Sequence, residues 1–98
     1  MKICLWLDDE RDPEKHGYKG WVWVKTAKEA INLIGSGNVY KASLDHDLGT
    51  KETGYDVVCW MEEYDKWPVD GTQVHSANPV GRSKMMQAIS RYYNNAER

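Results

Sequence analysis

The chain has 98 residues, 41% of them hydrophobic and 29% charged, and a formal net charge of −2 at pH 7. This length predicts one domain, residues 1–98, with a single core. The composition is typical of a soluble globular protein. The slight negative charge argues against binding of duplex nucleic acid, because proteins that bind it carry a basic surface.

Several features favour the cytoplasm over a membrane or secreted setting. No apolar run reaches the roughly 20 residues that a bilayer-spanning helix needs. Acidic residues begin at Asp8, too early for a signal peptide. Cys4 and Cys59 lie in apolar segments without the spacing of a metal site, so we expect two buried, reduced thiols. We therefore expect a cytoplasmic protein that does not associate with membranes.

The amino-terminal part predicts two strands. Residues 2–7 (KICLWL) form an apolar run typical of a strand covered on both faces. Residues 20–24 (GWVWV) predict a second strand, with Trp21 and Trp23 packing on one face. The turn-rich connection, residues 10–19, leaves open whether it contains a short helical turn.

The rest of the chain alternates helices and strands. Thr26 and Glu29 match a capping box that starts a helix, and Gly35 stops it. Residues 40–44 predict the third strand and residues 72–75 the fourth. The apolar face of the second helix comprises Val57, Trp60, Met61 and Tyr64. The third helix starts at Asn78 and Pro79 and buries Met85, Ala88, Ile89 and Tyr92.

Strands joined by helices predict an α/β fold with about four mostly parallel strands and three helices. Polar residues follow three of these strands: Asp8 and Asp9, then Asp45, His46 and Asp47, then His75, Ser76 and Asn78. The carboxyl ends of parallel strands meet at one edge, where such folds bind ligands. Three adjacent strand ends span about 10 Å. A metal ion or one phosphate group could contact all three of these strand ends.

Residues 75–82 (HSANPVGR) also predict an anion site. The first turn of a helix leaves backbone N–H groups unpaired, and its dipole favours an anion. Gly81 would let a ligand approach, and Arg82 could bind phosphate oxygens. Because carboxylates repel a bare phosphate, a divalent cation or a protonated histidine is needed between them. The predicted phosphate-binding residues are Arg11, Ser76, Asn78, Gly81 and Arg82.

These motifs together resemble one protein family. LWLDDERDP, SLDHDLG, TGYDVV and VHSANPVGRSKM are similar to the cyclic-phosphate-processing receiver-like domain family, degenerate relatives of the response-regulator receiver fold. The resemblance covers residues 3–90. It implies a truncated receiver-like (flavodoxin-like) three-layer fold with strand order 2-1-3-4.

The resemblance also implies roles for individual residues. Asp8 and Asp9 resemble the acidic pair that binds magnesium in receivers, and Asp45 resembles the aspartate that accepts phosphate. The resemblance therefore implies a divalent cation, Mg²⁺ or Mn²⁺, with Asp8, Asp9, Asp45 and Asp47 as its ligands. Residues 76–77 resemble the hydroxyl and small residues after the fourth strand. No segment for a fifth strand and its lysine follows the third helix, and the two site histidines have no receiver counterpart. Aspartyl-phosphate signalling is therefore not expected.

The family name implies hydrolysis of a nucleotide or RNA-end cyclic phosphate. The predicted catalytic residues are Asp45, His46 and His75. The residues leave two routes open: proton transfer by the histidines, or a metal that generates hydroxide. They also leave open a module that binds a nucleotide without cleaving it, and a degenerate receiver used for protein interaction. An open sheet edge could then serve a homodimer.

Overall fold

A computed structural model describes residues 2–96, which form four strands and three α-helices. The strands are β1 (Ile3–Leu7), β2 (Val22–Val24), β3 (Val39–Leu44) and β4 (Gly71–Val74). The helices are α1 (Ala27–Gly35), α2 (Gly54–Tyr64) and α3 (Pro79–Ala96). The sheet has the order β2-β1-β3-β4, and every neighbouring pair is parallel. The predicted fold class, strand order and number of helices are confirmed.

Local capping interactions explain where these elements begin. Thr26 Oγ1 accepts the N–H of Glu29, as the sequence predicts. The Glu29 carboxylate accepts the Thr26 hydroxyl and the backbone N–H of Lys25, the residue before the cap. Asp12 caps a 3-10 helix, Pro13–His16, between β1 and β2. This settles the open question of the first connection, which contains one short helical turn.

The three helices cover one face of the sheet. α1 contacts α2 and α2 contacts α3, so they lie side by side. Alternate residues of the central strands point toward them and are buried with residues of α2 and α3. This set includes Leu5, Leu7, Ala42, Leu44, Val57, Met61 and Met85.

The opposite face of β1 is covered by the segment that follows it. Trp6 is only 2% exposed, its Nε1 donates to the Arg11 carbonyl at 2.8 Å, and its ring lies 4.8 Å from that of Tyr18. In the described chain the third layer is therefore this segment with its 3-10 turn. No helix within residues 2–96 is long and apolar enough to cross a membrane.

Some expectations about burial are wrong. Cys4 is half-buried and Cys59 is exposed, because the apolar neighbours of Cys59 in sequence lie on a different side of α2. Trp23 and Tyr64 are 36% and 55% exposed. β2 is a three-residue edge strand that buries Val24 alone, and Tyr64 is the last residue of α2.

Gly54 sets the approach of α2 to β3 and gives a stability test. Its N–H donates to the His46 carbonyl at 2.9 Å, and a Cβ at this position would overlap the carbonyl oxygen of Asp45. We expect Gly54→Ala to lower the free energy of unfolding by about 1–3 kcal/mol, measured by urea denaturation.

The matched control is Gly35→Ala at the end of α1. There an added Cβ would lie 3.4 Å from the Trp60 ring, an ordinary contact. It should change the free energy of unfolding by less than about 1 kcal/mol. Wild-type stability in Gly54→Ala would contradict the close helix–strand approach.

Candidate functional site

Asp8 directly follows β1, and its buried carboxylate joins three parts of the chain. Oδ1 accepts the N–H groups of Glu10 and Arg11, both at 2.9 Å. Oδ2 lies 2.9 Å from Arg11 Nε and 3.0 Å from His75 Nε2. Burial alone would raise the pKa of Asp8, but the two backbone N–H groups and the Arg11 charge outweigh it and hold the pKa below its usual value. The group is therefore a carboxylate at neutral pH.

Asp45 occupies the corresponding position after β3. Its N–H donates to the Leu7 carbonyl at 2.9 Å, which fixes it beside the end of β1. Its Oδ1 accepts the His46 N–H at 2.8 Å, and its Oδ2 lies 3.4 Å from Arg11 Nη2. Burial, and then the negative charge of Asp8, raise the pKa of Asp45 above its usual value.

The carboxylates form one cluster at the carboxyl edge of the sheet. Asp8, Asp9 and Asp45 each offer an oxygen, and these oxygens lie within 4.8 Å of one another. Hard oxygen donors are the ligands that Mg²⁺ and Mn²⁺ prefer, so this donor set fits a divalent cation. The cluster opens into a pocket of about 330 Å³. The pocket is lined by Asp8, Asp9, Glu10, Arg11, Asp45, Asp47, Gly49, Ser76 and Ala77.

His75 lies behind Asp8, on the sheet face opposite the helices. Its ring stacks on Trp6 at 3.9 Å with the planes 5° apart. Nδ1 lies 2.7 Å from Ser43 Oγ, which also accepts an N–H of Gln73 at 3.1 Å. The Ser43 proton is therefore directed at Nδ1, and the His75 proton lies on Nε2 and is donated to Asp8. Burial lowers the pKa of His75 and outweighs the opposing attraction of Asp8.

His46 belongs to a second group that packs on the start of α3. Its Nδ1 lies 2.8 Å from Asp47 Oδ1, and Asn78 Nδ2 contacts both Asp47 oxygens at 3.3 and 3.4 Å. The hydrogen bond with His46, and then that with Asn78, lower the pKa of Asp47. Asn78 Oδ1 accepts the Gly81 N–H at 3.0 Å.

A Cβ on Gly81 would overlap the His46 ring. Gly81 thus makes room for the His46 ring, and its predicted contact with a ligand stays a prediction. Because Asn78 already accepts the Gly81 N–H, the predicted anion cradle at this helix start is partly filled by the protein itself.

The structure brings some predicted site residues together and separates others. The acidic pocket contains Asp8, Asp9, Asp45, Arg11 and Ser76. Asp47 lines the pocket rim but lies outside the three-carboxylate cluster found among the described residues. Arg82 lines an adjoining groove that shares Ser76 and Ala77 with the pocket. Within residues 2–96, neither His46 nor His75 lines this pocket.

Two side chains that orient His75 are absent from the sequence predictions. Trp6 and Ser43 lie between core residues of β1 and β3, so strand alternation places them on the face opposite the helices. The same alternation puts Gln73 and His75 on that face. A serine between two apolar residues of a predicted strand was the signal in the sequence that could have found this part of the site.

A family model described as "Cyclic-phosphate processing Receiver domain" matches residues 3–91. The matched range begins at β1 and contains all the residues of the acidic pocket. No curated protein and no solved structure matches the chain.

The surroundings of His75 predict its tautomer and its pH response. We expect a proton on Nε2 and a pKa below about 6.5. The unfolded chain then binds more protons than the folded chain as the pH falls below about 6.5. The free energy of unfolding that His75 contributes is thus complete above this pH and is lost as the pH falls toward the folded pKa.

¹⁵N–¹H NMR of the imidazole signals over pH 4–8 measures both properties. Ser43→Ala serves as the comparison, because it removes the hydroxyl donor to Nδ1 and should weaken the tautomer preference. A proton on Nδ1 in the wild type, or a pKa above about 6.5, would contradict the assignment.

Proposed function

Because the chain belongs to the cyclic-phosphate processing receiver domain family, we propose that it binds a nucleotide or RNA-end cyclic phosphate in the acidic pocket and hydrolyses it. The observation that carries the proposal is the meeting of three carboxylates within 4.8 Å at the sheet edge. Arg11 and Ser76, which can contact a phosphate, line the same pocket. A volume of about 330 Å³ suits a small ligand.

The residues of the pocket divide into cation ligands and phosphate contacts. Asp8, Asp9 and Asp45 would hold Mg²⁺ or Mn²⁺, which supplies neutralisation of phosphoryl charge and a more acidic water. Ser76 Oγ accepts the Asn78 N–H at 3.1 Å, so its own hydroxyl proton can be donated to a phosphoryl oxygen. Arg11 offers planar N–H donors that suit two phosphate oxygens.

Hydrolysis of a cyclic phosphate opens its ring. The oxygen of water forms a bond to phosphorus, one phosphorus–ester oxygen bond breaks, and a proton from the water reaches the leaving hydroxyl oxygen. The product is a phosphate monoester.

His75 and His46 differ in whether they can transfer this proton. His75 uses both ring nitrogens, on Ser43 and Asp8, so in our proposal it orients Asp8 and does not contact substrate. His46 is hydrogen-bonded to Asp47, which lines the pocket rim. We assign proton transfer to this His46–Asp47 pair.

The same geometry favours a second candidate, binding without turnover. Both His75 ring nitrogens are hydrogen-bonded inside the protein, to Ser43 and Asp8, and binding of a cation and a phosphate needs no group that transfers a proton. A nucleotide-sequestering module would retain the ligand unchanged. Recovery of intact ligand at one equivalent per chain, by mass spectrometry, would favour this candidate.

Interaction with a partner protein or a second copy stays a prediction, as does the cytoplasmic location. Within the described chain β4 pairs with β3 alone, so the other side of β4 is a sheet edge. Such an edge can add a strand from another chain. Sedimentation at increasing protein concentration tests for the homodimer.

Asp45→Asn tests the catalytic proposal. Loss of a buried carboxylate from the cluster should lower turnover at least about tenfold, because ligand loss weakens cation binding by at least as much as loss of a residue that supports a ligand. Turnover is measured with cyclic mononucleotides, cyclic dinucleotides and RNA with 2′,3′-cyclic phosphate ends, each with Mg²⁺ or Mn²⁺.

The matched control is Asp70→Asn. Asp70 pairs with Lys41 at 3.1 Å at the opposite end of the sheet, so its loss should leave turnover unchanged. If the wild type turns over none of these substrates, the hydrolase proposal is wrong. If Asp45→Asn and Asp70→Asn hydrolyse substrate at equal rates, the acidic pocket is not the site of hydrolysis.

A further inference from the structure

Arg11 lies between two of the three clustered carboxylates. Its Nε is 2.9 Å from Asp8 Oδ2 and its Nη2 is 3.4 Å from Asp45 Oδ2. Its Nη1 donates to the His75 carbonyl at 3.3 Å. The guanidinium therefore supplies the positive charge that two buried carboxylates need.

The hydrogen bonds of Asp8 leave little room for a further ligand. An ionised carboxylate offers about four lone-pair sites. Asp8 accepts from two backbone N–H groups, from Arg11 Nε and from His75 Nε2. A cation that binds Asp8 must therefore replace one of these donors.

Arg11 Nε is the donor that can leave. The N–H groups of Glu10 and Arg11 are fixed by the backbone turn after β1, and His75 is held by Trp6 and Ser43. The Arg11 side chain is 38% exposed and borders the open pocket, so it can swing outward. The hydrogen bond from the Arg11 backbone N–H to Asp8 keeps this residue at the pocket rim when its side chain moves outward.

We infer that a divalent cation and the Arg11 guanidinium compete for Asp8 and Asp45, and that cation binding releases the guanidinium to bind a phosphoryl group. The inference rests on the proposed function, because it concerns the order in which the same pocket takes its ligands. Without the cation the guanidinium is held by carboxylates and contributes little to phosphate binding. The pocket therefore binds the cation first and the phosphate second.

Calorimetric titration with Mn²⁺ tests the competition through affinity, independently of turnover. Arg11→Gln removes the competing charge and should tighten Mn²⁺ binding about tenfold or more, because the repulsion between a unit charge and a divalent cation about 4 Å away exceeds the roughly 1.4 kcal/mol that corresponds to a tenfold change. Arg91→Gln is the matched control. It removes the same charge from the surface pair with Glu62 and should bind Mn²⁺ within about twofold of wild type.

A second measurement needs no variant. In ¹⁵N-labelled wild-type protein the Arg11 Nε–H signal should show slow exchange without Mg²⁺ and lose this protection as Mg²⁺ is added. Mg²⁺ binding that leaves this signal unchanged, together with wild-type affinity in Arg11→Gln, would overturn the competition and leave the proposed function standing. If neither wild type nor Arg11→Gln binds Mn²⁺, the cation-dependent function falls and the competition with it.

Discussion

The carboxylate of Asp8 is the interaction on which the rest of the site depends. A buried charge costs several kcal/mol unless hydrogen bonds and an opposite charge compensate it. Asp8 has all of these partners: two backbone N–H groups, a guanidinium and an imidazole. To supply them, the chain must turn back after β1, and His75, which follows β4, must reach past β3 to contact Asp8. The acidic edge and the first connection are thus folded as one unit.

The two faces of the sheet have different roles: one packs the apolar core, and the other holds the polar network behind the site. The helix face is apolar and carries the packing of α1, α2 and α3. The opposite face holds the hydrogen-bonded series Gln73–Ser43–His75–Asp8, and the Trp6 ring stacks on its histidine. A polar network in a buried setting is favourable only when every member is satisfied, and among the described residues no buried side-chain polar atom lacks a partner. The network therefore fixes the Asp8 carboxylate in one position.

Most of the fold and the acidic part of the site could be predicted from sequence. Apolar runs and capping residues locate the strands and helices, and acids that follow parallel strands must meet at one edge. Side-chain direction was the part that could not be predicted. Strand alternation places His75 on the same face as Gln73, but the sequence does not give the register of β4 against β3 that brings this histidine behind Asp8. Gly81 could serve a ligand or a neighbouring ring, and its sequence context is the same in both cases.

The central claim is that the carboxyl edge of this sheet is a divalent-cation pocket. The most direct test adds substoichiometric Mn²⁺ to ¹⁵N-labelled protein and records which amide signals broaden. The account predicts that the signals of Asp9, Asp45 and Ser76 are lost first, while that of Gly37 near the opposite end of the sheet persists. Broadening centred on the surface acids Glu62 and Glu63, or spread evenly over the chain, would contradict it.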